Sequence, residues 1–186
     1  MSTLRNQVGL LLRASLVERY HNRTTLKTDT VGRHSFMVAW FCWFLYDEHP
    51  RSELILAALQ HDVAEGVIGD IPAPVTRAVG RELVDKLEAQ VLERFALPDY
   101  AAALSPVETL VLKLADRLDG LLYSTLEVRG LGNRALHTVM ERYAEYATLA
   151  AVALPDPYKA RGLELVHACG AVMDNLNIGD EEDVGL

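Results

Sequence analysis

Gln60-His61-Asp62-Val63-Ala64-Glu65 sets a histidine and an aspartate side by side, with a glutamate one helical turn further on. Imidazole and carboxylate are both good ligands for divalent transition metals, and His61 and Glu65, four apart, share one helical face. Neighbours on a helix diverge by about 100°, so His61 and Asp62 converge only on an ion lying over the seam between them. The stretch reads as half of a metal site, whose other ligands must come from other helices. Taken alone, a helix-end cap or an ion pair would also account for it.

Working outward, Ser52 is a plausible N-cap for a helix over residues 52–65, with Leu54, Ile55, Ala58 and Leu59 as its packed face and His61, Asp62 and Glu65 in its last turn. Upstream, residues 33–47 read as a helix that is apolar nearly all round, from Phe36 to Leu45, and therefore central; His34 opens it. Residues 20–32 are rich in Thr and poor in apolar period and read as an irregular connection. Before them, Leu4, Val8, Leu11, Leu12 and Leu16 mark an amphipathic helix over about 2–19.

Downstream, Gly66 and Gly69 loosen the chain into Asp70-Ile71-Pro72-Ala73-Pro74, ahead of a helix over about 75–95. Ser105-Pro106-Val107-Glu108 is a capping box with proline at the first helical position, opening a long Leu-rich helix to about residue 129 that contains Asp116 and Asp119. Two more helices, about 134–154 and 158–176, complete the plan. No alternating run of strand length occurs. The expectation is an all-α bundle of six to seven main helices in one domain, residues 1–178, followed by a frayed acidic tail at 179–186.

The formal charge of -8 argues against a binder of nucleic-acid polymers, which needs surplus Lys and Arg to displace counterions. Arg13, Arg19, Arg23, Lys27 and Arg33 nevertheless gather in the first 33 residues, as a solvated face or an anion-binding lip. No apolar run is long enough to span a membrane, and Arg5 and Arg13 interrupt any signal-like segment. Cys42 and Cys169 lie far apart inside apolar patterns, as buried reduced thiols of a cytoplasmic protein would. Surfaces such as the Tyr143-Tyr146-Leu149 face suit a homo-oligomer.

A carboxylate such as Asp116 inside a Leu-rich helix is costly to bury unless it is paired, hydrogen-bonded or metal-bound. His34 stands 27 residues before His61, and Asp116 stands 54 after Asp62. Together His34, His61-Asp62 and Asp116 resemble the HD-domain superfamily of metal-dependent phosphohydrolases. Arg19-Tyr20, His61-Asp62-x-x-Glu65-x-x-x-Gly69-Asp70-x-Pro72-x-Pro74 and Lys113-x-x-Asp116 resemble its bacterial 5'-deoxynucleotidase branch. The resemblance runs from about residue 19 to 127.

That resemblance implies a metal held by His34, His61, Asp62 and Asp116, with Co, Mn, Zn or Fe suiting the mixed donors and Mg possible. It implies acid-base work for Glu65 and Asp70, without saying which does which. Arg19 would clamp phosphate through its planar fork, and Tyr20 would face the sugar or base. Arg33 departs from the branch, which tends to place glutamate before the histidine; His21-Asn22 departs where the branch places proline. The substrate is expected to be a small deoxynucleotide, in first place a triphosphate cleaved to deoxynucleoside and triphosphate, with a monophosphate cleaved to deoxynucleoside and phosphate as the alternative. Arg23, Lys27, Arg33 and Arg77 could serve the longer anion, and the chain also resembles the small HD triphosphohydrolases of phages, some of which remove dATP. A catalytically silent helical module that binds nucleotide or a partner is the alternative of a different class.

Overall fold

The computed structural model describes residues 3–46 and 49–175; the expected acidic tail lies outside them. The chain runs through α1 (Thr3–Ser15), α2 (Val31–Leu45), α3 (Ser52–Gln60), α4 (Glu65–Ile68) and α5 (Ala73–Val79). It continues through α6 (Arg81–Arg94), α7 (Pro106–Thr125), α8 (His137–Val152) and α9 (Tyr158–Asn175). The architecture is all-α, as expected. Among the described residues no helix is long and apolar enough to cross a membrane.

The axis is α7. Ser105 Oγ accepts from the Glu108 N–H at 3.3 Å, and the Glu108 carboxylate accepts from the Ser105 N–H at 2.8 Å, so the capping box is complete. Proline at the first helical position gives up no hydrogen bond. Val111, Leu114, Ala115, Leu118 and Leu121 are buried along α7 and pack with residues of α2, α8 and α9. Each fully buried Leu contributes about 1.5–3 kcal/mol relative to exposure.

Four sequence expectations need correction. The helix expected over 52–65 ends at Gln60, residues 61–64 form a turn, and Glu65 starts the short α4. The helix expected over 75–95 breaks at Gly80, whose φ of 91° is one that side-chain-bearing residues rarely adopt. With these two breaks the seven expected helices become nine among the described residues. α2 is not enclosed: Val31, His34, Ser35, Val38, Phe41, Cys42 and Leu45 form its buried stripe, while Phe36, Trp40, Trp43 and Phe44 remain exposed. In α1 the buried residues are Leu10 and Ala14, and the Leu4-Val8-Leu11-Leu12-Leu16 set faces outward.

The irregular connection is held at both ends. A two-residue antiparallel pair, Glu18–Arg19 (β1) with Asp29–Thr30 (β2), sets Arg19 opposite Asp29. This pairing was not expected from sequence, because two residues carry no readable alternation. Beyond α7 the chain passes through a π-helical turn, Leu126–Gly130, that carries the fully buried Glu127. Its carboxylate accepts from the N–H groups of Leu26 (2.8 Å) and Lys27 (2.7 Å) and from Asn133 Nδ2 (2.6 Å). The basic loop is thereby pinned beside the end of α7.

Candidate metal centre and adjoining cleft

His34 lies on the buried stripe of α2, His61 and Asp62 on the turn after α3, and Asp116 in the middle of α7. His34 Nε2 is 3.0 Å from His61 Nε2, 3.3 Å from Asp62 Oδ2 and 3.3 Å from Asp116 Oδ1. Asp62 Oδ2 is 3.5 Å from His61 Nε2. The turn, rather than a continuous helix, lets two consecutive side chains aim at one point.

The tautomers decide what this point can hold. His34 Nδ1 is 2.6 Å from Asp119 Oδ2, and His61 Nδ1 is 2.7 Å from the Ala58 carbonyl oxygen. Both partners are acceptors, so each Nδ1 carries the proton and each Nε2 presents a lone pair. With both imidazoles neutral, two lone pairs and two carboxylates converge on one point and repel one another. A divalent cation held by these donors would relieve that repulsion. The donors fit a divalent transition metal.

Behind the ligands stands a charge cluster of which only Arg19 and Arg33 were singled out from sequence. Asp119 and Asp29 are both almost fully buried. Arg33 Nη2 lies 2.9 Å from both Asp119 oxygens, and its Nε bonds Asp29 Oδ1. Arg19 Nη1 is 3.4 Å from Asp29 Oδ2 and from Asp119 Oδ2. The arginine that departs from the branch is therefore the counterion of the aspartate that orients His34. Asp119 could have been found from its place one helical turn after Asp116; Asp29 gave no such signal.

A cleft of about 620 Å³ opens beside Asp62 and Asp116. Asp62, Asp116, Arg19, Tyr20, Asp70 and Arg77 line it, as do the unanticipated Arg142 and Tyr143 of α8. Tyr143 and Tyr146 of the expected oligomer face thus border the cleft. Lys27 and Arg33 are not among its walls: Lys27 is fastened through its main chain to Glu127 and Tyr123, and Arg33 is committed to Asp29 and Asp119. A smaller chamber of about 200 Å³ adjoins His61, Asp62, Asp116 and Glu65.

The two auxiliary carboxylates differ in setting. Burial, followed by the charges of Asp62 and Asp70, pushes Glu65 up to about 9, and its buried Oε2 has no hydrogen-bond partner among the described residues. Asp70 is also raised by burial, but His21 Nδ1 stands 3.2 Å from its Oδ2 and opposes the shift. Burial thus favours the protonated form of Glu65, which lines the smaller chamber beside His61 and Asp62.

The sequence matches the family model described as 5'-deoxynucleotidase YfbR-like over residues 7–156. It is 30% identical, over 139 residues, to a dATP triphosphohydrolase of cyanophage S-2L, covering 70% of this chain and 77% of the relative. The fold is similar to that of the HD phosphohydrolase DatZ of cyanophage S-2L, solved with dA and one catalytic Zn2+ ion. There the TM-score is 0.72 at 23% identity, with 90% of this chain and 96% of the other covered. It is also similar to a protein of Pyrococcus horikoshii OT3, with a TM-score of 0.69 at 21% identity over 90% and 99% of the two chains.

Proposed function

The chain belongs to the YfbR-like 5'-deoxynucleotidase family of HD phosphohydrolases, and from that premise we propose that it is a metal-dependent deoxynucleotide triphosphohydrolase. It would cleave the 5' phosphoester of a dNTP to give deoxynucleoside and triphosphate, with dATP the leading substrate by likeness to the phage relative. Family membership carries the hydrolase and the deoxynucleotide. The choice of triphosphate rests on one observation: Arg23, Arg77 and Arg142 line the cleft, and none has an ion-pair partner among the described residues. Three uncompensated guanidiniums, in a chain of net charge -8, suit a triphosphate better than a single phosphate.

In this reading His34, His61, Asp62 and Asp116 hold the ion. A divalent metal there supplies Lewis-acid screening of phosphate charge and acidifies water. Arg19 uses only Nη1 in its ion pairs, which leaves Nη2 and Nε for phosphoryl oxygens. Glu65, protonated at neutral pH, donates to the departing 5'-oxygen; Asp70, tied to His21, orients groups at the cleft wall. Lys27 and Arg33 are given no substrate role, since neither lines the cleft.

A second reading, a 5'-nucleotidase acting on dNMPs, is favoured by the description of the family itself. Purified protein incubated with Mn or Co and either dATP or dAMP separates the two. Deoxyadenosine and triphosphate from dATP support the proposal. Phosphate from dAMP with dATP untouched would transfer the chain to the nucleotidase reading.

A further inference from the structure

α8 sends Val139, Arg142, Tyr143 and Tyr146, spaced three and four apart, to the wall of the cleft. Tyr143 is fixed there from two directions. Its ring lies against α7 at Gly120, where any Cβ would overlap the ring carbons, so only glycine allows this approach. Its Oη accepts a hydrogen bond from Tyr20 Oη at 3.3 Å.

Tyr20 is itself held in an unusual state. Its φ is 59°, a left-handed backbone that a bulky residue adopts only under constraint. Its ring stacks on Tyr123 at 4.9 Å and 19°, and the Arg19 guanidinium lies 5.5 Å from its centre. The hydroxyl pair uses one proton of two. Tyr20 donates, and the Tyr143 proton has no acceptor among the described residues, inside a ligand cleft.

The position of this free donor identifies its partner. With the 5' phosphate between the metal ligands and Arg19, the sugar, one methylene away, lies alongside the next residue, Tyr20, and hence Tyr143. In a 5'-deoxynucleotide O5' is esterified and the ring oxygen is a weak acceptor. The 3'-hydroxyl is the one sugar group able both to accept and to donate. We propose that Tyr143 is a substrate-binding residue that hydrogen-bonds the 3'-hydroxyl of the deoxyribose, with Tyr20 and Gly120 as its positioning residues. This rests on the deoxynucleotide reading and is independent of the number of phosphates.

The test is a chemical double-mutant cycle on the Zn-loaded protein. Binding of 2'-deoxyadenosine and 2',3'-dideoxyadenosine is measured by calorimetry for wild type, Tyr143→Phe and Gly120→Ala, with kcat/KM for dATP and ddATP alongside. The expected result is a roughly three- to tenfold preference of wild type for the 3'-hydroxyl, which both variants abolish while Tyr143→Phe leaves dideoxyadenosine affinity unchanged. A Tyr143→Phe protein that keeps the preference, or loses both nucleosides equally, overturns the proposal. Equal binding of both nucleosides by wild type overturns it as well. Failure of wild type to bind either nucleoside instead overturns the deoxynucleotide reading, and this proposal with it.

Discussion

Asp119 Oδ2 stands 2.6 Å from Nδ1 of His34, one turn of α7 beyond Asp116. The contact fixes the His34 tautomer and so turns its Nε2 lone pair toward the ligand cluster. Arg33 Nη2 holds Asp119 from its other side, 2.9 Å from both carboxylate oxygens. Replacing Asp119 with Asn retains shape but removes the charge that favours an Nδ1–H. The expected outcome is a roughly 10–100-fold loss of Zn2+ affinity with helicity intact. Calorimetric titration of the metal-free protein measures it, and unchanged affinity would remove Asp119 from the site.

Glu65 has the opposite requirement. Burial and the neighbouring charges of Asp62 and Asp70 keep its proton on at neutral pH, whereas a bound cation would draw its pKa down from about 9. An acid with a raised pKa is active below that value and silenced above it, so kcat/KM should fall on the alkaline side. Glu65→Gln keeps the size but cannot give up a proton. It should lower kcat by about 10²–10⁴-fold, leave metal affinity nearly unchanged and abolish the alkaline limb. A variant with wild-type kcat would move the acid role to Asp70.

Why these residues differ in legibility follows from what a sequence records. The capping box of Ser105 and Glu108, the Leu stripe of α7 and the order His34, His61-Asp62, Asp116 are local or strongly spaced patterns, and the fold brings these side chains together. The direction of an apolar face is not local. The Leu4-Val8-Leu11-Leu12-Leu16 set has the spacing of a buried stripe, yet α1 packs through Leu10 and Ala14. The aromatic run of α2 likewise cannot say that Phe36, Trp40, Trp43 and Phe44 face outward. Arg33 looked like a free cation because its partners, Asp29 and Asp119, are distant from each other in sequence. Arg142 lies outside every motif and gains a role only when α8 closes the cleft.

The cleft arginines make a prediction that separates binding from chemistry. Arg77 stands on α5 and Arg142 on α8, so each would meet the tail of a bound triphosphate from a different element. Charge-assisted hydrogen bonds to a phosphate away from the reacting centre stabilise ground and transition states alike. Arg77→Ala and Arg142→Ala should each raise KM for dATP about tenfold with kcat little changed, and the wild-type KM should rise with ionic strength. Equal effects on dAMP and dATP would show that these side chains do not reach the tail.

Far from the chemistry, Glu108 links fold stability to pH. It is almost fully buried, and its carboxylate bonds Arg51 Nε at 2.7 Å and Nη2 at 2.8 Å while also closing the α7 capping box. The Arg51 hydrogen bonds, against the opposing effect of burial and with help from Ser105, hold it down to about 2 from an ordinary 4.5. The folded state therefore releases this proton more readily than the unfolded chain. Its stabilisation is complete above 4.5 and drains away as pH falls toward 2. Urea midpoints measured across that window should drop more steeply for wild type than for Glu108→Gln, whose uncharged side chain has nothing to titrate. Ser105→Ala, which removes only the cap, should cost about 1 kcal/mol and lower Tm by about 2–4 °C at neutral pH. Parallel pH slopes for wild type and Glu108→Gln would mean that the acid sensitivity belongs to other carboxylates.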